Sequence, residues 1–557
     1  MDLLHDTPFG ILLNFLARGK IKQLQYYEEK NPEIWRRYIE PDASDRSIAN
    51  SSQEGVPEQA EGASQVQSEV TDVRVDSEKG EDMRLVEFLP GDPEVRLDRL
   101  REGMRANDLQ NPLNWSLTKK TFATFQICLL TIAIYIGSAI YAAGVRDVSR
   151  VFGVSPVAGI LGLTLFVAGY GLGPMVWSPI SEAPQIGRNP VYIGSIALFV
   201  LLQIPTVLSV NFGMLLAFRF ITGFVGSPVL AVGGASLAEI WRPQKRAYAI
   251  CIWGIAAVCG PTMGPVISGF AVDANGWTWT ILELIWIGGF TFILLFVFLP
   301  ETSSSNILFR RTRRIRKLTG NDKLISRGEL MAETMTRRDV VQMLLVRPFT
   351  LNFTEPMVFL LNLYTALIYG LLYIWFESFA VVFRGIYGFN TGLIGLSFLG
   401  IFVGAIIIVP PFFWYLHKYL EPEFDENGFI QPEKRLPPAF LGGVAIPICL
   451  FWFGWSSRQS INWIMPIIGS AWFSIGSFLL FNPVLNYLTD AYPDYAASVL
   501  AGNDLFRSAF GAGFPMFATA MYTRLGVGWA SSLLAFLAIV FIPIPVVLWK
   551  VSIPHRC

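Results

Sequence analysis

Residues 279–299 read WTILELIWIGGFTFILLFVFL, and Glu283 is the only charged residue in this stretch. A helix rises about 1.5 Å per residue, so a run of about 20 apolar residues crosses the hydrocarbon core of a bilayer. The same pattern recurs along the chain and predicts membrane-spanning helices near residues 121–144, 157–179, 190–208, 212–236, 247–271, 279–299, 356–380, 391–415, 437–456, 463–487, 496–520 and 527–549. The pattern therefore predicts an integral membrane protein.

The twelve predicted spans fall into two groups of six, residues 116–300 and 351–550, separated by a charged connector at 301–350. Short turns join neighbouring spans, so these spans run antiparallel. Two six-helix halves in one chain indicate an internal repeat of the kind that transporters use, with a binding site at mid-membrane between the halves. We therefore predict an all-α integral membrane protein whose twelve helices form two pseudo-symmetric six-helix bundles.

The segments outside the two halves are polar tails. In the N-terminal tail, residues 1–115, the stretch 41–100 is rich in Ser, Glu, Asp, Gln and Gly. Such a composition cannot offset the entropy of ordering, so we expect this stretch to be disordered. Residues 9–16 carry apolar side chains at helical spacing, which predicts either a short helix on the membrane surface or an incidental apolar stretch. Residues 551–557 form a short C-terminal tail.

The composition argues against several classes of function. Of the 557 residues, 52% are hydrophobic and 15% are charged, whereas soluble domains carry about 25% charged residues. The formal net charge is zero, so no overall field indicates a nucleic-acid partner. Histidines and cysteines do not cluster at ligand spacing, so no metal site is predicted. The sequence has no nucleotide-binding loop or nucleophile elbow, so we expect neither an enzyme nor a cofactor.

Basic residues are concentrated at one end of the predicted spans. The connector and the turns on its side carry many Lys and Arg residues, whereas the opposite side carries Arg146, Arg150, Arg384, Arg458 and Arg524. Cytoplasmic loops of membrane proteins carry such an excess. The distribution therefore predicts that the connector and both termini lie in the cytosol.

The turn after the second span reads GPMVWSPISEAPQIGR, from Gly173 to Arg188. Glu182 and Arg188 place opposite charges at the membrane face, where they can pair in one conformation and separate in another. Glu239 ends the small-residue face of the fourth span near the same surface, and we assign it to the same group of coupling and gating residues. The alternative is an ordinary polar turn whose Arg sets the topology.

Arg219 lies inside the fourth span, in LLAFRFITG. A guanidinium at this depth is costly unless it faces a partner or water. We predict that the charge of Arg219 tunes proton binding on a nearby carboxylate. The alternative is an Arg that extends to the membrane surface.

The fifth span contains two Gly-Pro pairs, in GIAAVCGPTMGPVISG from Gly254 to Gly269. Gly260 and Gly264 are four residues apart, so they share a helix face and permit close backbone approach. Pro261 and Pro265 each remove an intrahelical hydrogen bond and bend the span. We predict a role in transport for this motif, with Gly254 at its start. A plain helix-packing face is the alternative.

Acidic residues inside the other spans are candidate proton sites. Asp504 and Arg507 are three apart in the eleventh span and can pair there. Glu283 and Glu377 are also in apolar surroundings, although each is equally well explained as an interfacial acid. A buried carboxylate of this kind can bind protons reversibly.

Aromatic residues crowd two spans of the second half. An aromatic cavity suits bulky apolar or cationic ligands, whereas most membrane aromatics face lipid or other helices. The candidate cavity residues are Tyr135, Tyr369, Tyr373, Phe376, Trp472 and Phe481.

Several motifs of the chain are shared with one family of transporters. They are Asn111-Pro-Leu-Asn-Trp115-Ser, the turn Gly173–Arg188, Arg219 with Gly223, Ser227–Glu239, the two Gly-Pro pairs, Leu299-Pro-Glu-Thr302, Glu355-Pro356 and Ala497–Arg507. On these motifs, residues 107–550 resemble a major facilitator superfamily transporter of the fungal twelve-span drug:proton antiporter group. The similarity is greatest to the fluconazole/benomyl-resistance type of multidrug exporter. Two departures concern the turns. Ala-Pro-Gln-Ile separates Glu182 from Gly187, and the corresponding stretch after the eighth span, Pro410–His417, keeps the Pro and aromatic residues but lacks the acidic signature.

The resemblance implies the major facilitator fold and the export of drugs, fungicides or other small apolar toxicants in exchange for protons. It implies a multi-pass protein of the plasma membrane that is monomeric, with small molecules, protons and the lipid bilayer as its partners. A dedicated exporter of one secondary metabolite or toxin is the alternative, and the Gly-Pro motif argues against a nutrient symporter.

Overall fold

The computed structural model describes residues 6–17, 26, 29, 74–76, 82–86, 110–334, 342, 347–425, 430–492 and 496–552. Most of the stretch 41–100 that we predicted to be disordered, and most of the C-terminal tail, lie outside the described residues. Within the N-terminal tail, the described elements are α1 (Pro8–Leu16), β1 (Arg74–Asp76) and β2 (Asp82–Val86). The predicted helix at residues 9–16 is therefore present as α1.

The first half contains six predicted spans, and each is helical. Its helices are α2 (Leu117–Ala139), α3 (Val145–Phe152), α4 (Pro156–Glu182), α5 (Arg188–Val207), α6 (Phe212–Gly226), α7 (Pro228–Ile240), α8 (Pro243–Asn275) and α9 (Thr278–Phe298). The fourth span is divided into α6 and α7 at Pro228, which has no N–H to continue the hydrogen-bond ladder. Ser116 and Ser155 begin α2 and α4 by accepting hydrogen bonds from the first-turn N–H groups of Lys119 and Ala158.

The connector and the second half follow. The connector contains α10 (Ser304–Thr319), β3 (Leu324–Ser326), α11 (Arg327–Thr334) and α12 (Arg347–Thr354). The helices of the second half are α13 (Pro356–Phe379), α14 (Thr391–Ser397), α15 (Leu399–Tyr415), α16 (Pro437–Ser456), α17 (Ile464–Ala491), α18 (Ala496–Leu525), α19 (Val527–Phe541) and α20 (Pro543–Ser552). Short π-helical turns at 380–384 and 416–420 extend α13 and α15.

Eleven helical segments within the described residues are long and apolar enough to cross a membrane. The remaining predicted span forms α18, which has 30 residues but is more polar because it carries Asn503, Asp504 and Arg507. The all-α, multi-pass membrane architecture is thereby confirmed. The count of twelve crossings stays a prediction.

The two halves meet along a seam formed by a few helices. In the seam, α4 packs against α18, and α8 packs against α14, α15 and α17. Thr164 of α4 donates a hydrogen bond across it to the carbonyl oxygen of Ala512, at 3.0 Å. We use "connector side" for the end of the molecule at which α10 lies.

A small sheet joins the N-terminal tail to the connector. Strand β1 pairs antiparallel with β2, and β2 pairs in parallel with β3. Val86, Ile315 and Leu324 pack together beneath it. Residues 74–76 and 82–86 thus form strands that local composition disfavours, through pairing with the distant connector, and the expectation that 41–100 is largely disordered stays a prediction.

The N-terminal helix lies at the connector side as well. The N–H of Glu301 donates to the carbonyl oxygen of Asp6 at 3.2 Å, and α1 packs against the end of α9. Phe15 and Leu16 are largely exposed. Their exposure agrees with the predicted position on the membrane surface, which stays a prediction.

Candidate functional site

A cluster of tyrosine hydroxyls lies at the seam, about midway along the spans. The Tyr170 hydroxyl of α4 is 2.7 Å from that of Tyr369 and 2.8 Å from that of Tyr373, both on α13. Ser138 of α2 is 2.6 Å from the Tyr373 hydroxyl. All four residues are buried. This tyrosine cluster therefore joins the two halves by hydrogen bonds rather than by apolar contact alone.

A small central cavity of about 30 Å³ adjoins the tyrosine cluster. Its lining includes Tyr135, Tyr369, Phe481 and Arg507, which the sequence analysis had singled out for different reasons. The Arg507 guanidinium lies 5.4 Å from the ring centroid of Tyr369 and 5.7 Å from that of Phe481. A cation among aromatic faces is stabilised by the ring quadrupoles.

Arg507 is held in place by Asp504. Its Nη2 atom donates to Asp504 Oδ1 at 2.6 Å, one turn back on α18, as their spacing predicted. Asp504 is 2% exposed, and its Oδ2 atom has no hydrogen-bond partner among the described residues. The preceding residue, Asn503, donates to Asn362 and Thr365 of α13. A buried carboxylate with one unpaired oxygen can bind a proton.

On the connector side a cavity of about 680 Å³ lies between the halves. It extends from Glu182 and Arg188 at the membrane face to Trp253 and Arg507 at the centre. Arg188 Nη2 donates to Glu239 Oε1 at 2.6 Å. In this structure Arg188 therefore pairs with Glu239 and not with Glu182, the partner that the sequence suggested. Glu182 is close enough to interact electrostatically with both residues.

The connector residue Glu301 caps the N-terminal end of α5. Its carboxylate accepts hydrogen bonds from the backbone N–H groups of Arg188 and Asn189 at 3.1 and 3.3 Å, and from those of Thr302 and Ser303 at 2.9 Å each. Burial raises the pKa of the Glu301 carboxyl, and these donors act in the opposite direction. The cap fixes the start of the helix that carries Arg188.

Gly187 is required at this cap for two reasons. Its φ is +79°, in the left-handed region that favours glycine. A Cβ atom at this position would also lie 2.6 Å from Glu301 Oε2. The close approach of the turn to the carboxylate therefore excludes a side chain here.

The second half repeats the ion pair of the first. Arg435 precedes α16, as Arg188 begins α5, and its Nε donates to Asp490 Oδ2 at 2.5 Å near the end of α17. Asp490 thus corresponds to Glu239, near the end of α7. The sequence analysis missed this pair because it looked for an acidic signature within residues 410–417, whereas Arg435 and Asp490 lie farther along the chain.

A polar bridge crosses the seam on the connector side. Glu421, after α15, accepts hydrogen bonds from Lys245 Nζ at 2.5 Å and from the Tyr248 hydroxyl at 2.7 Å, both on α8. His417 Nδ1 is 3.1 Å from the other carboxylate oxygen of Glu421. These contacts close the seam between α8 and α15 at the membrane face.

On the opposite side the halves enclose a second cavity, of about 580 Å³. Phe376, Glu377 and Pro265 are among its lining residues. Thr519 donates a hydrogen bond to Glu377 Oε2 at 3.2 Å. Tyr373 lies between Tyr369, which lines the central cavity, and Phe376, which lines this one. The tyrosine cluster therefore separates the cavities of the two sides.

Arg219 is buried within the first half and binds two helices. Its Nε donates to the carbonyl oxygen of Gly162 at 3.0 Å, and its Nη2 to that of Gly137 at 2.8 Å. The guanidinium also lies 4.3 Å from the ring centroid of Phe166. Arg219 is 0% exposed, so it does not extend to the membrane surface. Its partners here are backbone carbonyls and not the carboxylate that we expected.

The glycines of the fifth span pack against α2. A Cβ atom on Gly260 would lie 2.8 Å from Tyr135 Cβ, and one on Gly264 would lie 2.6 Å from the backbone nitrogen of Ile140. Gly254 instead faces Asn482 of the second half. Pro261 is buried within α8. The motif therefore brings α8 close to α2 on one face and to the seam on another.

The protein-family model of the Major Facilitator Superfamily matches residues 127–515 of the sequence. The chain belongs to the major facilitator superfamily. It is 43% identical over 456 residues to the transporter mfs1 of Schizosaccharomyces pombe, covering 81% of this chain and 86% of that protein. It is 40% identical over 454 residues to the cycloheximide resistance protein of Candida maltosa, covering 79% and 82% of the two chains.

The structure of the proton:xylose symporter XylE is similar in fold. It aligns with a TM-score of 0.53 at 14% identity and covers 78% of this chain and 96% of that one. The family and fold implied by the sequence motifs are thus confirmed. The protein is a multi-pass membrane transporter that acts on small molecules, and it is not an enzyme.

The superfamily fold brings most of the predicted site residues to the seam, but not all of them. Trp472 is 38% exposed and is absent from the lining of the three cavities described. Glu283 is buried in α9. Sequence reasoning missed Tyr170, which lies in the glycine-rich stretch GYGLG of the second span. An isolated hydroxyl among apolar residues in that span is the feature that could have indicated it.

Proposed function

We propose that the protein exports drugs and other small, mostly apolar toxicants from the cytosol in exchange for protons. The single observation that carries the proposal is the buried Asp504–Arg507 pair beside an aromatic cavity at the seam. The connector-side cavity of about 680 Å³ reaches Arg507 and Trp253 and is large enough for varied compounds, and the carboxylate provides a proton site at its inner end. The name of the cycloheximide resistance protein supports export of toxic compounds.

In this proposal, proton binding at Asp504 neutralises the partner of Arg507. The guanidinium then loses its ion pair while remaining beside Tyr369 and Phe481, so the charge in the cavity changes between the two protonation states. A bound molecule and a bound proton thereby favour different conformations, which is the requirement for exchange by alternating access. The connector-side and opposite-side cavities are the two access routes.

The tyrosine cluster and the connector-side ion pairs act as gates in this scheme. Arg219 and Glu182 complete the proposed set, with Arg219 holding α2, α4 and α6 as one unit. We further propose that the protein is a monomer of the plasma membrane with both termini and the connector in the cytosol. The excess of basic residues on the connector side supports this orientation.

Transport in a yeast host that lacks its own drug pumps tests the proposal. Cells that express the protein should tolerate cycloheximide, fluconazole or benomyl and should lose this advantage when a protonophore is added. Asp504→Asn should abolish proton-dependent efflux, whereas Asp322→Asn in the connector serves as the matched control. Efflux that survives both the protonophore and Asp504→Asn would contradict proton exchange. Export of only one compound would indicate a dedicated exporter instead.

A further inference from the structure

An apolar groove of about 480 Å³ lies on the outer surface of the seam. Both halves form its walls: Phe125 belongs to α2, Tyr248 and Ile252 belong to α8, and Phe413 belongs to α15. Phe125 is 56% exposed and Ile252 is 43% exposed. The connector-side cavity lies on the other face of α8, where it is lined by Ile250 and Trp253, among others. The groove therefore faces the surrounding lipid and is separate from the transport site.

The connector-side end of this groove is basic. Lys245 and His417 line it, with 53% and 76% of their side chains exposed. Lys120 lies 5.7 Å from the ring centroid of Trp241, another lining residue, and is close enough to Arg242 for their like charges to repel. Cations thus collect around one end of an otherwise apolar groove.

The acidic counterpart at this end is Glu421, which binds Lys245, Tyr248 and His417 at once. One carboxylate cannot balance both Lys245 and Lys120, and within the described residues Lys120 donates to the carbonyl oxygen of Leu113 at 2.8 Å rather than to a carboxylate. An anion near Lys245 would reduce this excess of positive charge.

The shape and the charge together specify an amphipathic ligand. An apolar chain fits between Phe125, Ile252 and Phe413, because these side chains offer it no hydrogen-bonding group. Trp241 and Tyr248 have an apolar body and a polar tip, as is typical of residues at the level of lipid headgroups. We propose that the groove binds an anionic phospholipid of the connector-side leaflet, with an acyl chain along the groove and its phosphate near Lys245.

The lipid has a consequence for the conformation of the transporter. The groove exists only while α8 and α15 lie together, as they do in the bridge of Glu421 to Lys245 and Tyr248. A ligand that binds one conformation better than another shifts the population towards it. The bound phospholipid therefore stabilises the arrangement in which the connector-side seam is closed.

Native mass spectrometry of the purified full chain tests the site without any measurement of transport. The protein in detergent is titrated with dioleoyl phosphatidylglycerol, with dioleoyl phosphatidylcholine and with glycerol 1-phosphate. We expect one phosphatidylglycerol to bind about fivefold more tightly than phosphatidylcholine, because basic residues near a bilayer surface attract anionic lipids. Glycerol 1-phosphate, which has no acyl chain, should not bind measurably.

Paired variants locate the bound lipid. Ile252→Trp fills the groove and should weaken phosphatidylglycerol binding about tenfold, whereas Ile267→Trp, at a lipid-exposed position on the same helix, should leave it unchanged. Lys245→Gln should weaken binding about fivefold, and Lys550→Gln removes the same charge outside the groove as its control. Thr121→Trp blocks the groove from an exposed position on α2 and provides a second test if Ile252→Trp unfolds.

Four outcomes would overturn the proposal. Equal affinity for the two lipids removes the selection for an anionic headgroup, and equal affinity in the groove-filling and control variants places the lipid elsewhere. Binding of glycerol 1-phosphate as tight as that of the lipid assigns the site to a phosphate group alone. If cycloheximide displaces the lipid at the concentrations at which it is exported, the groove is a binding site for transported compounds.

Discussion

Gly264 offers the most direct test of the packing between α8 and α2. A Cβ atom at this position would lie 2.6 Å from the backbone nitrogen of Ile140 and 2.9 Å from the carbonyl carbon of Ala139. Both are backbone atoms, so no side-chain rotation can relieve the contact. The two helices must move apart by several tenths of an ångström, which strains the hydrogen bond from Ser268 to the carbonyl oxygen of Ile140 at 3.1 Å.

We expect Gly264→Ala to lower the free energy of unfolding by about 1–3 kcal/mol, the usual cost of overpacking a tight contact. The efflux rate should fall as well, because the displaced α8 also lines the central and opposite-side cavities. Gly264→Leu should abolish efflux while some protein still reaches the membrane. The measurements are thermal unfolding of the purified protein and drug efflux from cells at matched expression.

Gly289→Ala is the matched control. Gly289 lies in α9, and a Cβ atom there would have no atom within 4 Å, so only the small gain in helix propensity remains. If Gly264→Ala and Gly289→Ala unfold at the same temperature and export equally well, the close approach of α8 to α2 is not needed for transport.

Three further changes test other parts of the site. Arg219→Ala removes two side-chain hydrogen bonds to buried helix carbonyls, at about 0.5–1.5 kcal/mol each. Arg219→Lys should recover only part of the thermal stability and efflux, because an ammonium cannot reproduce the planar fork of donors that reaches two helices, and wild-type values in the Ala variant would refute this. Glu301→Gln turns one acceptor oxygen into a donor facing backbone N–H groups, so the free energy of unfolding should fall by about 1–3 kcal/mol, and an unchanged thermal midpoint would count against the cap. Tyr170→Phe should weaken the contact between the halves by about 0.5–1.5 kcal/mol and alter the efflux rate. The exposed control Tyr419→Phe should change neither, and equal efflux rates in the two variants would argue against a gate at the tyrosine cluster.

The membrane-spanning helices could be predicted because lipid imposes a simple rule on the sequence. Each apolar run must be helical, since unpaired backbone groups are not tolerated in hydrocarbon. The ends of these helices were predicted less well. For example, α8 begins at Pro243, although its apolar run begins near residue 247. Polar residues such as Lys245 and Arg246 extend the helix beyond the membrane, and hydropathy does not detect them.

The partners of the charged residues could not be predicted in the same way. Proximity in sequence favoured Glu182 as the partner of Arg188, but both residues lie at the ends of helices whose rotation is set by packing. The structure directs Arg188 to Glu239, at the end of a different helix. Arg219 posed the same difficulty, because the sequence showed that it needs a partner but gave no indication that backbone carbonyls would serve.

The ion pairs of the two halves are alike, but the helices beside them, α5 and α16, begin differently. In the first half, α5 begins with Arg188 and Asn189, whose backbone N–H groups need an acceptor and find Glu301 of the connector. In the second half, α16 begins with Pro437 and Pro438, which have no N–H to offer, so no such carboxylate is required. The connector occurs once in the chain, and its described residues contact the first ion pair: Glu301 accepts from the N–H of Arg188, and the N–H of Ser304 donates to Glu239. The Arg435–Asp490 pair therefore has fewer contacts to break when the halves move, and we expect the connector side to open first at the second half.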